Sequence, residues 1–135
     1  MICKIRPLGE LAPYKYVVVM SRYQGKILLS RHKDRDTWET QGGHIELGET
    51  PLEAARRELY EESGAVEFDI RPVFDYWAGD EQGGASGQVF AATIRTLGPL
   101  PKSEMAEVRA FDEVPPNVTY PAITPEIFAS VEEFR

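Results

Sequence analysis

The chain has 135 residues, of which 42% are hydrophobic and 27% are charged, and its single cysteine, Cys3, excludes an internal disulfide. These values predict one soluble domain over residues 1–135, in a reducing cytoplasmic compartment and without membrane contact. The net charge of −7 argues against an extended nucleic-acid interface and leaves a small ligand as the expected partner of a monomer or homodimer.

The first predicted elements are two strands in a hairpin. β-rich runs at residues 15–22 and 23–31 flank a Gln24-Gly25 turn, which is typical of antiparallel strands. Residues 32–42 lack periodicity and are predicted to form a polar loop, followed by a short strand around residues 44–46.

One helix is specified at both ends. Thr50 is the predicted N-cap, Pro51 suits the first helical position, and Glu53 completes a capping box. Gly64 favours a left-handed C-terminal stop, so we expect a helix over residues 51–63. Its buried stripe is predicted from helical spacing as Leu52, Ala55 and Leu59.

The remaining elements are predicted from alternation and from turn-forming residues. In order they are a long strand at 65–78, a wide glycine-rich hairpin connection, a strand at 87–97, a proline-containing connection at 97–107, a short strand at 108–114 and a last helix near 123–134.

The predicted helix carries an unusual concentration of carboxylates. At 100° per residue, Glu58, Glu61 and Glu62 fall within an arc of about 100°, directed away from the predicted stripe. Like charges at this spacing destabilise a helix by roughly 0.2–0.5 kcal/mol per pair. One interpretation is a solvated face balanced by Arg56 and Arg57. The other is a site for a hard divalent cation, because such ions prefer oxygen ligands.

An ordered spacing runs through the same region. Its fixed residues are Gly43, Glu49, Arg57, Glu58, Leu59, Glu61, Glu62 and Gly64. The spacing resembles the Nudix box of MutT-type pyrophosphohydrolases, G-x5-E-x7-R-E-U-x-E-E-x-G-U, where U is a bulky apolar residue. Eight of the nine positions match, and Ala65 stands at the ninth. The segments "WETQGG" and "SEMAEVRAFDEVPP" extend the resemblance over most of the chain.

The resemblance implies an α/β/α sandwich around a mixed sheet and a metal-dependent enzyme. Such an enzyme cleaves a diphosphate bond in a nucleoside triphosphate or a related nucleoside diphosphate derivative, and releases a nucleoside monophosphate and pyrophosphate. Oxidised deoxynucleoside triphosphates of the 8-oxo-dGTP type are candidate substrates. Two alternatives stay open: removal of pyrophosphate from the 5′ end of RNA, and a Nudix-like module that binds a nucleotide without hydrolysing it.

The resemblance also assigns roles to residues of the box. Mg²⁺, for which Mn²⁺ can substitute, is expected at the Gly43 carbonyl and at three carboxylates: Glu58, Glu61 and Glu62. Glu49 and Arg57 are expected to orient these side chains and the loop. Glu104 matches a later glutamate that serves as general base in such enzymes, with Glu107 as its neighbouring alternative. The predicted catalytic residues are Arg57, Glu61, Glu62 and Glu104.

Substrate contacts are predicted on both sides of the box. Arg31, Lys33 and Arg35 form a basic patch that can hold phosphates, although a merely solvated loop is the alternative. Glu39 is expected to line the pocket.

Four aromatic residues and one histidine complete the candidates. Trp38 is expected either to line the pocket or simply to pack. Base stacking by Tyr76, Trp77 or Phe90 competes with core packing, which is the commoner role of strand aromatics. His44 is predicted to be a variable position of the box loop.

Overall fold

A mixed sheet of seven strands and two helices make up the part of the chain that the structure, a computed structural model, describes: residues 1–131 and residue 134. In chain order the elements are β1 (Ile2–Arg6), β2 (Tyr16–Tyr23), β3 (Lys26–His32), β4 (Gln41–His44), α1 (Pro51–Ser63), β5 (Ala65–Asp80), β6 (Gly83–Leu97), β7 (Met105–Phe111) and α2 (Thr124–Ala129).

The sheet is mixed because its centre contains one parallel pair. The strand order is β1-β5-β6-β2-β3-β7, with β4 attached to β2. Strands β2 and β6 run parallel, whereas the other pairs are antiparallel, including the predicted β2–β3 hairpin. The short strand β4 therefore starts the box loop beside the middle of the sheet.

Strand β2 supplies side chains to both cores of the molecule. Because successive strand residues face opposite sides of a sheet, Val17 and Val19 pack with Leu59 of α1, while Met20 packs with Ile127 and Phe128 of α2. One helix thus covers each face, and the predicted α/β/α sandwich around a mixed sheet is confirmed.

The caps of α1 are confirmed, but one residue of its predicted buried stripe is wrong. The backbone N–H of Glu53 donates to the Thr50 hydroxyl at 3.1 Å, and Gly64 ends the helix with φ 83°. Leu52 is 40% exposed. Helical spacing placed Leu52 on the buried stripe, but its side chain in the first turn of α1 is largely accessible to solvent. The buried residues of α1 are Ala54, Ala55, Leu59 and Ser63.

The predicted wide hairpin is in fact a tight one. Strands β5 and β6 continue through the glycine-rich segment, so that Gly79 pairs with Gly84 and the turn is left to Glu81 and Gln82. A Cβ at Gly79 would lie 2.4 Å from the carbonyl oxygen of Gly83. The glycines therefore permit the two strands to approach closely. Composition alone had suggested that this segment was a loop.

Other boundaries also differ from the predictions. Strand β1 was not predicted, β4 lies at 41–44 rather than 44–46, and β7 begins at Met105 rather than at residue 108. Helix α2 ends at Ala129, and Glu132 and Glu133 of the predicted last helix lie outside the described residues. Among the residues described, no helix is long and apolar enough to cross a membrane.

Candidate active site

A cleft of about 700 Å³ opens beside β4 and reaches the tip of the β5–β6 hairpin. Its lining includes residues from β4, the last turns of α1, the start of β7 and the α2 region. Five of the predicted site residues line it: Arg35, Glu39, Gly43, Glu62 and Glu104. The box therefore forms one end of a space large enough for a small ligand.

Two box carboxylates are directed towards the sheet, contrary to the solvated arc that the sequence suggested. At 100° per residue, Glu58 and Glu62 lie between the buried Ala54 and Ala55 around the helix axis. The side chain of Glu58 is only 13% exposed. The carboxylates thus occupy the edge of the buried face, and the prediction that they point away from it was wrong.

Strand β4 meets these carboxylates with its backbone. The N–H of Gly42 donates to Oε1 of Glu62 at 2.7 Å. A Cβ built on Gly43 would lie 2.7 Å from Oε1 of Glu58, so a larger residue there would displace that carboxylate from its position. The close approach of loop and helix accounts for the glycine at the start of the box.

A buried polar network, which the sequence analysis missed, holds the end of α1 against the sheet. The Ser21 hydroxyl donates to Oε1 of Gln41 at 2.6 Å, and Nε2 of Gln41 donates to the Ser30 hydroxyl at 2.9 Å. That hydroxyl donates to the carbonyl oxygen of Glu62 at 2.7 Å. A satisfied buried network of this kind fixes one geometry, here the position of Glu62.

The electrostatic environment of Glu62 is unfavourable to its charge. Burial raises the pKa of its carboxyl to about 8, and the carboxylates of Glu58, Glu39 and Glu104 act in the same direction. The hydrogen bond from Gly42 offsets only part of this effect. Burial also raises the pKa of Glu58, against the opposing influence of Arg57. The site therefore concentrates negative charge that a cation would stabilise.

Arg57 connects the box loop to the helix. Its Nε and Nη2 donate to the two carboxylate oxygens of Glu49 at 2.6 and 3.0 Å, and Nη2 also donates to the His44 carbonyl at 3.2 Å. Its Nη1 lies 2.8 Å from Glu58 and 3.4 Å from Glu61. The guanidinium lowers the pKa of Glu49 to about 2. Arg57 thus contacts both Glu49 and Glu58, which is the arrangement an orienting role would need, and that role stays a prediction.

The chemistry of the box residues fits a hard cation, although their side chains do not form a ready ligand cage. Within the described part of the chain, no group of three or more His, Cys, Asp or Glu side chains is arranged to hold a metal ion. Glu58 and Glu61 face Arg57 instead. The box nevertheless supplies the oxygen donors that such a cation prefers, and a bound cation would offset the burial and charge repulsion that raise the pKa of Glu62.

The two candidate bases lie in different environments. Glu104 lines the cleft just before β7, and its side chain is 81% exposed. Glu107 pairs with Arg31 at 3.4 Å and with Arg109 at 2.9 Å, which lowers its pKa. Glu104 is therefore the better placed of the two for work in the cleft.

The predicted basic patch is divided by the fold. Arg35 lines the cleft and donates to Oε2 of Glu39 at 3.2 Å, while the Thr119 hydroxyl donates to the same oxygen at 2.7 Å. Arg31 pairs with Glu107, and Lys33 is exposed beside the cleft rather than lining it.

A cationic and aromatic wall, which we define as Lys15, Tyr16 and His44, was missed. All three residues line the cleft. The ring of Tyr16 lies 4.6 Å from that of His44, and Nζ of Lys15 lies 5.5 Å from the Tyr16 ring centroid. The signal available in the sequence was "YKY" at the start of the first hairpin strand. Whether these side chains face the cleft depends on the pairing of that strand with β4, which the sequence does not show.

The aromatic candidates separate by face and depth. Tyr76 lines the cleft, whereas Phe90 is 1% exposed in the core beneath α1. Trp77 follows Tyr76 in β5, so it faces the other side, where Lys4 lies 5.5 Å from its ring. Trp38 packs in the core against Phe111, as its simpler interpretation predicted.

Comparison with known proteins places this geometry in context. A family model described as the NUDIX domain matches residues 13–126. A MutT-like protein of Streptomyces ambofaciens is 46% identical over 52 residues, which are 38% of this chain and 34% of that protein. An RNA pyrophosphohydrolase of Francisella philomiragia is 36% identical over 56 residues, which are 42% of this chain and 36% of that relative. The matches thus span about a third of the length of these curated relatives.

A solved structure extends the comparison over most of the fold. The crystal structure of the Bacillus subtilis pyrophosphohydrolase BsRppH shares 28% sequence identity with this chain, with a TM-score of 0.74. The match covers 85% of this chain and 74% of the other.

Proposed function

The chain belongs to the Nudix family, and from this premise we propose that it is a divalent-cation-dependent hydrolase that cleaves a diphosphate bond in a nucleoside 5′-triphosphate group. The observation that carries the proposal is the placement of Glu62, a carboxylate held by the Gly42 N–H at the wall of a ligand-sized cleft and destabilised there by burial and by other carboxylates. Such an arrangement is suited to a cation that brings an anionic substrate with it.

The residues proposed to hold Mg²⁺ or Mn²⁺ are the carboxylates Glu58, Glu61 and Glu62 and the Gly43 carbonyl. When bound, the cation would neutralise charge on the phosphate oxygens and acidify water. The protein's own part is to hold these oxygens in place. Arg57 does so by bonding Glu49, Glu58 and Glu61 at once.

Glu104 is the proposed general base. Its carboxylate accepts a proton from the water that attacks phosphorus, and a P–O bond forms as the bridging P–O bond breaks. Pyrophosphate leaves, and a nucleoside monophosphate group remains. Lys15 and Arg35 supply positive charge to a cleft whose other charged lining residues include Glu39, Glu62 and Asp80.

Free nucleoside triphosphates, including oxidised ones of the 8-oxo-dGTP type, are the first proposed substrates. The cleft is also lined by small residues of the β5–β6 hairpin, Ala78, Gly79, Gly84 and Ala85, and by Tyr76. This part of the lining is the proposed site of the nucleotide base, next to an aromatic side chain. A net charge of −7 also favours a small anion over a long one.

The 5′-triphosphate end of RNA is the second candidate. It is favoured by a specific observation, the similarity to proteins described as RNA pyrophosphohydrolases and to the pyrophosphohydrolase BsRppH. Both candidates present the same 5′-triphosphate group, so the same box residues serve either reaction.

A substrate panel tests the proposal. Nucleoside triphosphates, 8-oxo-dGTP and 5′-triphosphorylated RNA would be incubated with the protein in Mg²⁺ or Mn²⁺, with chelated samples as controls, and the products identified. We expect pyrophosphate together with either a nucleoside monophosphate or 5′-monophosphorylated RNA. Nucleotide binding without any turnover in either metal would instead favour the non-catalytic module and contradict the proposal.

A further inference from the structure

His32 ends β3 at a local irregularity of the sheet. Arg31 pairs with Glu107 of β7, but His32 pairs with Met105, so the register shifts between the two residues. Such bulges re-aim side chains and are frequent beside active sites. Here Arg31 is directed to Glu107, and His32 lines the cleft with only 19% of its side chain exposed.

The hydrogen bond to the imidazole determines which ring nitrogen carries the proton. The backbone N–H of Asp34 donates to Nδ1 of His32 at 3.1 Å. A ring nitrogen that accepts a hydrogen bond is unprotonated, so the neutral ring carries its proton on Nε2. Nε2 lies 3.7 Å from Oε2 of Glu104. The nitrogen that carries the remaining donor of His32 is therefore the one that lies near the proposed base, at a separation somewhat longer than a formed hydrogen bond.

Glu104 needs such a partner because, among the residues that the structure describes, few contacts restrain its carboxylate. Its side chain is 81% exposed, and its charge acts unfavourably on Glu62 across the cleft. Repulsion and rotamer freedom both favour conformations away from the reacting atoms. The backbone N–H of Lys33 already holds the Glu104 carbonyl at 2.9 Å. Residues 32 and 33 thus contact both the main chain and the side chain of Glu104.

We propose that His32 is a positioning residue, whose Nε2–H holds the Glu104 carboxylate at the cleft. This inference rests on the proposed function, in which Glu104 accepts the proton of the attacking water. His32 acts through Glu104 and takes no proton itself. It differs in this from the box residues, which surround the proposed cation.

A double-mutant cycle tests the coupling. His32→Leu should lower kcat about tenfold with KM unchanged, on the scale seen when an orienting partner is removed. His32→Gln, which retains a donor near the position of Nε2, should restore most of the activity. In a Glu104→Gln background, His32→Leu should cost nothing more. Additive losses, or no rescue by glutamine, would overturn the proposal.

Asp34→Asn is the matched control, because it changes a neighbouring charge but keeps the backbone donor. It should leave kcat near the unmodified value.

A second measurement tests the contact between His32 and Glu104 without relying on turnover. The chain has only two histidines, His32 and His44, so nitrogen NMR of the imidazoles has an internal control. At about pH 8.5, where imidazoles are ordinarily neutral, His32 should show a protonated Nε2. Glu104→Gln should shift that resonance and leave His44 unchanged.

These outcomes separate the two hypotheses. A protonated Nδ1, or a His32 signal insensitive to Glu104→Gln, would overturn the inference even in an active enzyme. Absence of any diphosphate hydrolysis by the unmodified protein would overturn the proposed function, while the resonance still reports the His32–Glu104 contact.

Discussion

Helix α1 and the segment of residues 31–39 both concentrate charge beside the cleft, but they place it by different means. In α1, helical periodicity and two caps give each side chain a direction, and Glu58 and Glu62 reach β4 together. In the segment, adjacent cations take separate partners, with Arg31 on Glu107 and Arg35 on Glu39. A charged motif on a regular element is therefore readable from its spacing, whereas one on an irregular segment depends on which carboxylates the fold brings near.

The largest expected effect is at Glu62. Glu62→Gln keeps the shape of the side chain but removes its charge, and turnover should fall by about 10³-fold or more, as for groups acting at the reacting atoms. Steady-state hydrolysis of the preferred substrate in Mg²⁺ measures this. The control is Glu113→Gln, because Glu113 is an exposed carboxylate outside the cleft; this substitution should not change turnover. Equal activity of the two variants would contradict a role for Glu62 in the reaction.

The orienting role of Arg57 should give a smaller loss. Arg57→Lys keeps the charge but cannot bridge Glu49 through two nitrogens while also reaching Glu58. We expect activity or metal affinity to decrease about 10- to 100-fold. A Mg²⁺ titration of activity measures both quantities, and an unchanged titration curve would contradict the role.

Replacing one lysine in each place tests whether position relative to the cleft matters for substrate binding. Lys15→Met removes charge from the cleft wall, so KM should rise about tenfold, or about 1.4 kcal/mol of binding. Lys33→Met removes the same charge from the exposed segment and should leave KM within error. If the two variants behaved alike, the division of the basic residues by the fold would have no functional meaning.

The stability of the metal-free protein should depend on pH through Glu62. Its pKa is raised from 4.5 to about 8, so the folded state binds more protons than the unfolded state between these values. The free energy of unfolding should therefore fall as pH rises from about 5 to about 8. Urea unfolding in a chelator measures this, and Glu62→Gln should flatten the dependence. A steeper fall in the variant would contradict the assignment.

The smallest effect is expected at the start of α1. Thr50→Ala removes the hydroxyl that accepts from Glu53, which should cost about 1 kcal/mol of stability. Thermal unfolding measures the loss, and turnover below the melting range should be unchanged. An activity loss as large as that of Arg57→Lys would show that the cap positions the site rather than only the helix.

The α1 boundaries, the hairpin of β2 and β3 and the family resemblance were all predictable from sequence. Each depends on neighbours within a few turns or strands: Thr50 with Glu53, Gly64 with its own backbone, and the box with its spacing. The inward direction of Glu58 and Glu62 follows from the same helical spacing, but it was missed because the predicted stripe left out Ala54, which is buried on the other side of these two glutamates from Ala55.

Local sequence was sufficient for the bounds of α1 and for the spacing of the box, since helix caps, turn residues and residue spacing act over short distances along the chain. Long-range pairing set the rest. The β4–β2 ladder brings Lys15 and Tyr16 to the cleft, the bulge between β3 and β7 turns His32 towards Glu104, and Gln41 is buried through contacts with Ser21 and Ser30. Burial and the nearby carboxylates then raise the pKa of Glu62. Both effects depend on strands that are distant in sequence coming together in the fold.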